Sequence, residues 1–221
     1  MNQEERSQRS RKQVLDAALK LFSHQGYRAT SIRDIAQEAK VSTGNVYHHF
    51  ADKEAIFHEL LGQYWAAIED AAFPFNQALA EGFPGHLETI GFGAREMIKE
   101  WRHHIALVYV DVVEFEGKHI RKFYSDMAHR FEAFLEKHRD RLDLERQLRP
   151  GVSPLSAVML VSRVFLNYFS IEILFGVPNH FGQSTEQVIT ELSDLLRYGM
   201  LRQAAPGQPS KPAAQGQLQQ A

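Results

Sequence analysis

Apolar residues in this chain recur at the spacing of a helix face, three or four apart, and no stretch alternates apolar and polar residues over the length of a strand. Val14, Ala18 and Phe22 form one stripe, joined by Leu15 and Leu19. Ile32, Ile35, Ala36 and Ala39 form a shorter one, and Phe57, Leu60, Leu61, Tyr64 and Ile68 a third. A long stripe runs through Ile120, Phe123, Tyr124, Met127, Phe131, Phe134 and Leu135. No Asn-Gly or Asp-Gly hairpin signal interrupts them. The breaks fall at Gly26, Gly82-Phe83-Pro84-Gly85, Gly117, Pro150-Gly151 and Gly176-Val177-Pro178. This punctuation predicts an all-α fold of about nine helices, over 7–25, 31–39, 43–49, 53–72, 86–101, 104–115, 118–140, 154–175 and 184–203.

Hydrophobic residues make up 44% of the 221, enough for a core without covalent staples. The chain has no cysteine, which excludes disulfides, thiolate catalysis and cysteine-based zinc sites. The first thirteen residues carry charge but no apolar run, so they do not read as a secretory signal. No uninterrupted run of about 18 apolar residues occurs, because Arg163, Asn167 and Glu172 break the densest segment. A soluble, cytoplasmic protein with no membrane partner is the expectation. Residues 204–221, rich in Pro, Gly, Gln and Ala, are expected to be a disordered tail. Residues 1–55 hold nine Lys and Arg against seven Asp and Glu, while the remainder holds sixteen against twenty. The positive balance sits where nucleic acid would touch.

The segment from Thr30 to Lys53 carries the chemistry. Thr30 or Ser31 caps a short helix facing inward through Ile32, Ile35, Ala36 and Ala39. Lys40-Val41 turns the chain, and Ser42 or Thr43 caps a second short helix anchored by Val46, with Phe50 one turn on. Two such helices joined by about three residues describe a helix-turn-helix. The second helix is too short to stand alone and needs Val46 and Phe50 to hold it. Its outward face is Thr43, Gly44, Asn45, Tyr47, His48 and His49, a surface of hydrogen-bonding groups suited to a major groove. Gly44 allows close backbone approach, and a helix N-terminus favours phosphate. Tyr47 could instead simply pack on Phe50, and an exposed Lys53 at a helix start could be merely solvated. His48 and His49 do not read as a metal pair, since neighbours on a helix diverge by roughly 100°.

The same residues carry a resemblance. Arg11 to Lys53 is similar to the DNA-binding domain of TetR-type regulators, through Leu21-Phe22, Gly26-Tyr27, Ala29-Thr30, Ile35-Ala36-Gln37-Glu38-Ala39, Val41-Ser42, Gly44-Asn45-Val46-Tyr47-His48-His49-Phe50 and Asp52-Lys53-Glu54. It covers about a fifth of the chain and departs at Lys40, where glycine is common in the turn. The resemblance implies that Thr43 and Asn45 reach base edges or nearby phosphates. It implies that the Tyr47 hydroxyl and Lys53 meet phosphates, that His49 meets phosphate or base, and that Thr30 and Arg33 touch the flanking backbone. Residues 7–52 would then be the DNA-binding domain, and 53–203 a helical domain for effector binding and dimerisation.

In the body, the resemblance implies a space between helices for a small-molecule effector, and its aromatic content suggests an apolar or aromatic one. Trp65, Trp101, Tyr109, Phe115, Phe123, Tyr124 and Asn167 are the expected lining, although any one of these aromatics could be ordinary core. His103-His104 with Asp111 and Glu114 are too spread along a helix to hold one metal ion. From Leu155 to Leu174 nearly every face is apolar, so this helix must be buried on more than one side. Pairing it and the final helix with a second copy would do so, through Val158, Phe165, Phe169, Leu192, Leu195 and Leu196. A wholly intramolecular core helix is the alternative. A two-fold dimer would set two recognition helices about 34 Å apart, one turn of duplex DNA. No nucleophile elbow, P-loop, H-E-x-x-H or dinucleotide fingerprint appears, so neither enzyme activity nor a cofactor or metal is expected. The function expected is a ligand-released repressor binding a pseudo-palindromic operator as a homodimer. An activator or ligand-independent binder of the same fold, a helical carrier or enzyme, and a protein–protein adaptor are the rivals.

Overall fold

A computed structural model describes residues 2–202, so the tail expected to be disordered lies outside the described residues. Among them no strand forms, and a single antiparallel bridge joins Leu148 to Leu201. The helices are α1 (Gln3–Gln25), α2 (Ile32–Ala39), α3 (Thr43–His49), α4 (Lys53–Glu69), α5 (Pro74–Gly82) and α6 (Leu87–Phe115). They continue with α7 (Arg121–Ser125), α8 (Met127–Lys137), the single turns α9 (Arg139–Leu142) and α10 (Leu144–Gln147), α11 (Pro154–Phe169) and α12 (Thr185–Met200). A π-type turn, Ser170–Leu174, extends α11.

The helix starts follow from their caps. The Ser31 hydroxyl and the Asp34 carboxylate satisfy each other's backbone N–H groups at the head of α2, and Ser184 and Gln187 do the same for α12. The Asp52 carboxylate accepts from Ala55 N at 2.7 Å to start α4. Lys40 closes α2 in the left-handed region (φ 57°), where a side chain costs about 1 kcal/mol relative to glycine.

Three differences from the sequence-based spans have plain causes. The expected spans 86–101 and 104–115 are one helix, α6, because Arg102 and His103 are polar but neither Gly nor Pro, and the helix runs through them. A helix at 74–82 was not expected; Pro74 stands at its first turn, where proline's missing N–H costs nothing, and Phe75, Ala78 and Leu79 are buried. The span 118–140 breaks at Ser125-Asp126 into α7 and α8, and α8 ends at Lys137.

Helix α6 is the axis of the body, packing against α5, α11, α12, α4 and α1. Gly91 makes the crossing possible: a Cβ there would stand 2.9 Å from Ile189 Cγ2 and 3.0 Å from Phe165 Cε1. The segment Pro154–Leu174 is long and apolar enough to cross a membrane by length and composition, but here it packs on α6 and α8. Val158, Phe165 and Phe169 are fully buried within the chain's own core. This corrects their assignment to a surface shared with a second copy, because α6 already covers the face that carries them. Leu192 and Leu196 are half-buried, and Leu195 is 70% exposed.

Candidate nucleic-acid interface

Helices α1, α2 and α3 close around Val14, Ala18, Phe22, Ile35, Ala36, Val46 and Phe50, all buried. The Ser42 hydroxyl accepts from Asn45 N at 3.1 Å, which fixes the start of α3. Arg11 lies over the Phe50 ring at 5.1 Å and pairs with Glu59, tying α1 to the end of α3 and to α4. With Val46 and Phe50 inside, Thr43, Gly44, Tyr47 and His48 are left exposed, and Tyr47 shows 58% of its surface. Arg33 is exposed on α2.

Other expected contact residues are held within the protein. Asn45 is half-buried and its Oδ1 accepts from the Ser10 hydroxyl at 2.5 Å. Ser10 gave no signal in the sequence, because its role depends on where α1 passes α3. His49 is also half-buried; burial, then His48 and Arg11, pushes its imidazole below the usual histidine range, favouring the neutral ring. Thr30 is 1% exposed and its hydroxyl donates to Gly26 O at 2.8 Å. Its side chain shapes the turn before α2 and does not reach the surface, which corrects the expected phosphate contact. The Lys53 ammonium donates to Tyr27 O at 2.8 Å and Thr30 O at 2.7 Å and sits 4.0 Å from the centre of the Tyr27 ring. Two of its three N–H donors thus hold the turn between α1 and α2, and one is left over. Burial lowers the Lys53 pKa, with Glu114 and Asp34 opposing.

The reading head is fastened to the body by Glu114 and Asp111, carboxylates to which the sequence assigned no such role. Glu114 of α6 accepts from Tyr27 N at 3.0 Å and from Arg28 N at 2.6 Å. Asp111, fully buried, accepts from Ile120 N at 3.2 Å and faces His119 Nδ1 at 2.5 Å. The carboxylate only accepts, so Nδ1 carries the hydrogen. The other ring nitrogen of His119 lies 3.4 Å from Glu54 on α4, and Lys118 donates to the same carboxylate at 2.6 Å. Phe57, Phe115, Tyr27 and His119 pack as one aromatic cluster at this junction. The first turns of α4 and the last turns of α6 therefore meet the reading head as one unit.

The expected effector residues are not gathered in one place. Trp65 and Phe123 stack at 4.0 Å and 15° beside a cleft between α4 and α7–α8. Phe115 belongs to the junction cluster. Trp101 packs among Tyr64, Phe73 and His104. Tyr109, half exposed, meets Phe175 edge-on, and Tyr124 is exposed beside Phe123. Asn167 points to the surface of α11, away from the buried residues of that helix, which corrects its placement in an internal site.

His104, beside Trp101, has a buried Nε2 with no partner. Burial, with a smaller push from His103, holds its pKa at about 4. The unfolded imidazole titrates near about 6.5, so between these values the unfolded chain binds a proton that the native one refuses. Stability is complete above that window and falls as pH drops through it, by at most about 3 kcal/mol and by less where solvent screens the ring. Urea unfolding at about pH 7 and pH 4.5 should show that His104→Phe loses less stability across this interval than wild type. Equal losses in both chains would show that His104 is not the group responsible.

Residues 14–60 match the family model described as bacterial regulatory proteins, tetR family. The chain is 33% identical over 106 residues to the HTH-type transcriptional repressor KstR2 of Rhodococcus jostii, covering 47% of this chain and 50% of that one. It is 59% identical over 46 residues to the HTH-type transcriptional regulator HbdR of Aromatoleum, covering 21% and 20%. The chain thus spans half or less of these relatives' lengths. Solved structures match over most of the fold. NalD of Pseudomonas aeruginosa, titled the secondary repressor of a multidrug efflux pump, aligns with a TM-score of 0.57 at 22% identity, covering 89% of this chain and 98% of its own. KstR2 of Mycobacterium tuberculosis, titled a ketosteroid transcriptional regulator, aligns with a TM-score of 0.51 at 19% identity, covering 87% and 95%. The helix-turn-helix is thus similar in sequence to bacterial regulatory proteins of the tetR family, and the helical body aligns in fold with these solved structures.

Proposed function

We propose that the protein is a transcriptional repressor that binds a two-fold operator as a homodimer and releases it when a small molecule enters the helical body. The observation that carries the DNA-binding reading is the division of α3. Val46 is fully buried, while Thr43, Gly44, Tyr47 and His48 form an exposed, polar, close-approach face. Relatives named as repressors support the direction of control.

Tyr47 and Arg33 would contact phosphates, and Thr43 and His48 the base edges. Asn45, held by Ser10, and the spare N–H of Lys53 would set the depth and angle of approach. The head would transmit the body's state through α4 and through Glu114 and Asp111, so a ligand that separates these elements alters the spacing of the two heads. It shifts operator occupancy only by its differential affinity for the two arrangements. The second copy would pair through the exposed stripe of Leu160 on α11 with Leu195 and Tyr198 on α12. As a regulator it would act where the chromosome lies, in the cytoplasm, and not as an enzyme.

Selection of bound fragments from the host's genomic DNA tests this reading. Enrichment of one palindromic sequence with half-sites about one helical turn apart is the expected result. Recovery of fragments with no common sequence would contradict it.

A further inference from the structure

The cleft between α4 and α7–α8 has a volume of about 250 Å³, below that of a drug-sized pocket. Its wall of Trp65 stacked on Phe123 is flat and aromatic. Gly62 lines it from the middle of α4, and a Cβ built there meets nothing within 4 Å. Glycine inside a helix costs about 1 kcal/mol against alanine, and no neighbour here requires it. What its missing side chain provides is open space over the aromatic wall.

The polar lining has an excess of unused donors. Arg130 pairs with Glu69 and lies 4.7 Å over the Phe123 ring, yet its Nε–H is buried without an acceptor. His119 is committed to Asp111 and Glu54. The side chains of Lys122 and His58, both exposed at the rim, have no hydrogen-bond or ion-pair partner among the described residues. Against these three donors stands one lining carboxylate without an ion pair among the described residues, Asp126; it accepts from the Ser125 hydroxyl at 3.4 Å, and its charge sits at the start of α8, where the helix dipole favours it.

We infer that this cleft binds a small, flat aromatic carboxylate, its ring on Trp65–Phe123 beside Gly62 and its carboxylate toward Lys122, His58 and Arg130 Nε. The site names a ligand class for the effector proposed above, and only its regulatory consequence rests on that reading. Because His58, Gly62 and Trp65 lie on α4, a bound ring bears on the helix whose first residue, Lys53, holds the turn of the reading head.

Benzoate, with benzamide as its neutral counterpart, is the probe. The protein has two tryptophans, so a full-length Trp101→Phe chain leaves Trp65 as sole fluorescent reporter. Saturable quenching by benzoate, with benzamide at least about tenfold weaker, is expected. Lys122→Ala should narrow that ratio. Gly62→Leu places a good helix former into open space, so it should fold yet lose benzoate binding. Equal binding of benzoate and benzamide, or wild-type binding by a folded Gly62→Leu chain, overturns the assignment. Titration of the same chains with the selected operator separates the two proposals. Benzoate binding without any operator binding leaves the cleft standing and removes the regulatory reading. Operator binding and release by another compound, with no response of Trp65 to benzoate, does the reverse.

Discussion

Leu195→Asp is expected to leave the isolated fold intact and to abolish assembly. In the single chain Leu195 is 70% exposed and Tyr198, one turn further on, 69% exposed. An aspartate at that position stays in water as a monomer and loses nothing. In a dimer formed on this stripe it would be a carboxylate buried without a partner, with a cost of several kcal/mol. Sedimentation should show a monomer at concentrations where wild type is dimeric, with unchanged helix content. Operator affinity should fall by about 100-fold or more, since the second head no longer binds as an intramolecular event. A variant that remains dimeric would place the pairing surface elsewhere.

Asp111→Ala is expected to cost about 3 kcal/mol or more, because several buried donors lose their common acceptor at about 1–3 kcal/mol each. Its carboxylate has no exposure and receives Ile120 N, His119 N and His119 Nδ1. Alanine would leave these donors buried without an acceptor and free the 116–120 loop from the end of α6. His119 would then lose its fixed orientation against Phe57 and Phe115, and with it the bridge to Glu54 on α4. Denaturant unfolding measures the first effect. Operator affinity, measured where the variant is still folded, reports the second, and it should fall although Asp111 lies outside the exposed face of α3. A loss below about 1 kcal/mol would mean that the donors find water instead.

The helix-turn-helix was legible because its determinants are local. Caps, the Lys40 turn and the Val46–Phe50 anchor are set within a few residues of one another. Most of what escaped depends on packing that the local sequence does not state. Thr30 and Lys53 reach backbone carbonyls of the α1–α2 turn, and whether such groups face solvent or a carbonyl is settled only by packing. Helix α5 was missed because no helix was assigned between 72 and 86, although Pro74 suits a first helical turn and Phe75, Ala78 and Leu79 are buried on it. The apolar girth of α11 says that several neighbours cover it, not whether they belong to the same chain; α6, α8 and α12 cover part of it, and Leu160 stays exposed. The aromatics chosen for the effector site share a composition but stand in separate clusters, which spacing along one helix could not show.

The most direct test of the account is a titration of the selected operator duplex with wild type and with Tyr47→Phe at about 50 and 200 mM salt. DNA binding through the exposed face of α3 predicts that wild-type affinity falls by about 1,000-fold or more between the two conditions. It predicts that Tyr47→Phe, lacking one hydroxyl on that face, binds several-fold more weakly across operator variants. Binding indifferent to salt, or a Tyr47→Phe chain equal to wild type on every duplex, would contradict the assignment of this face to DNA.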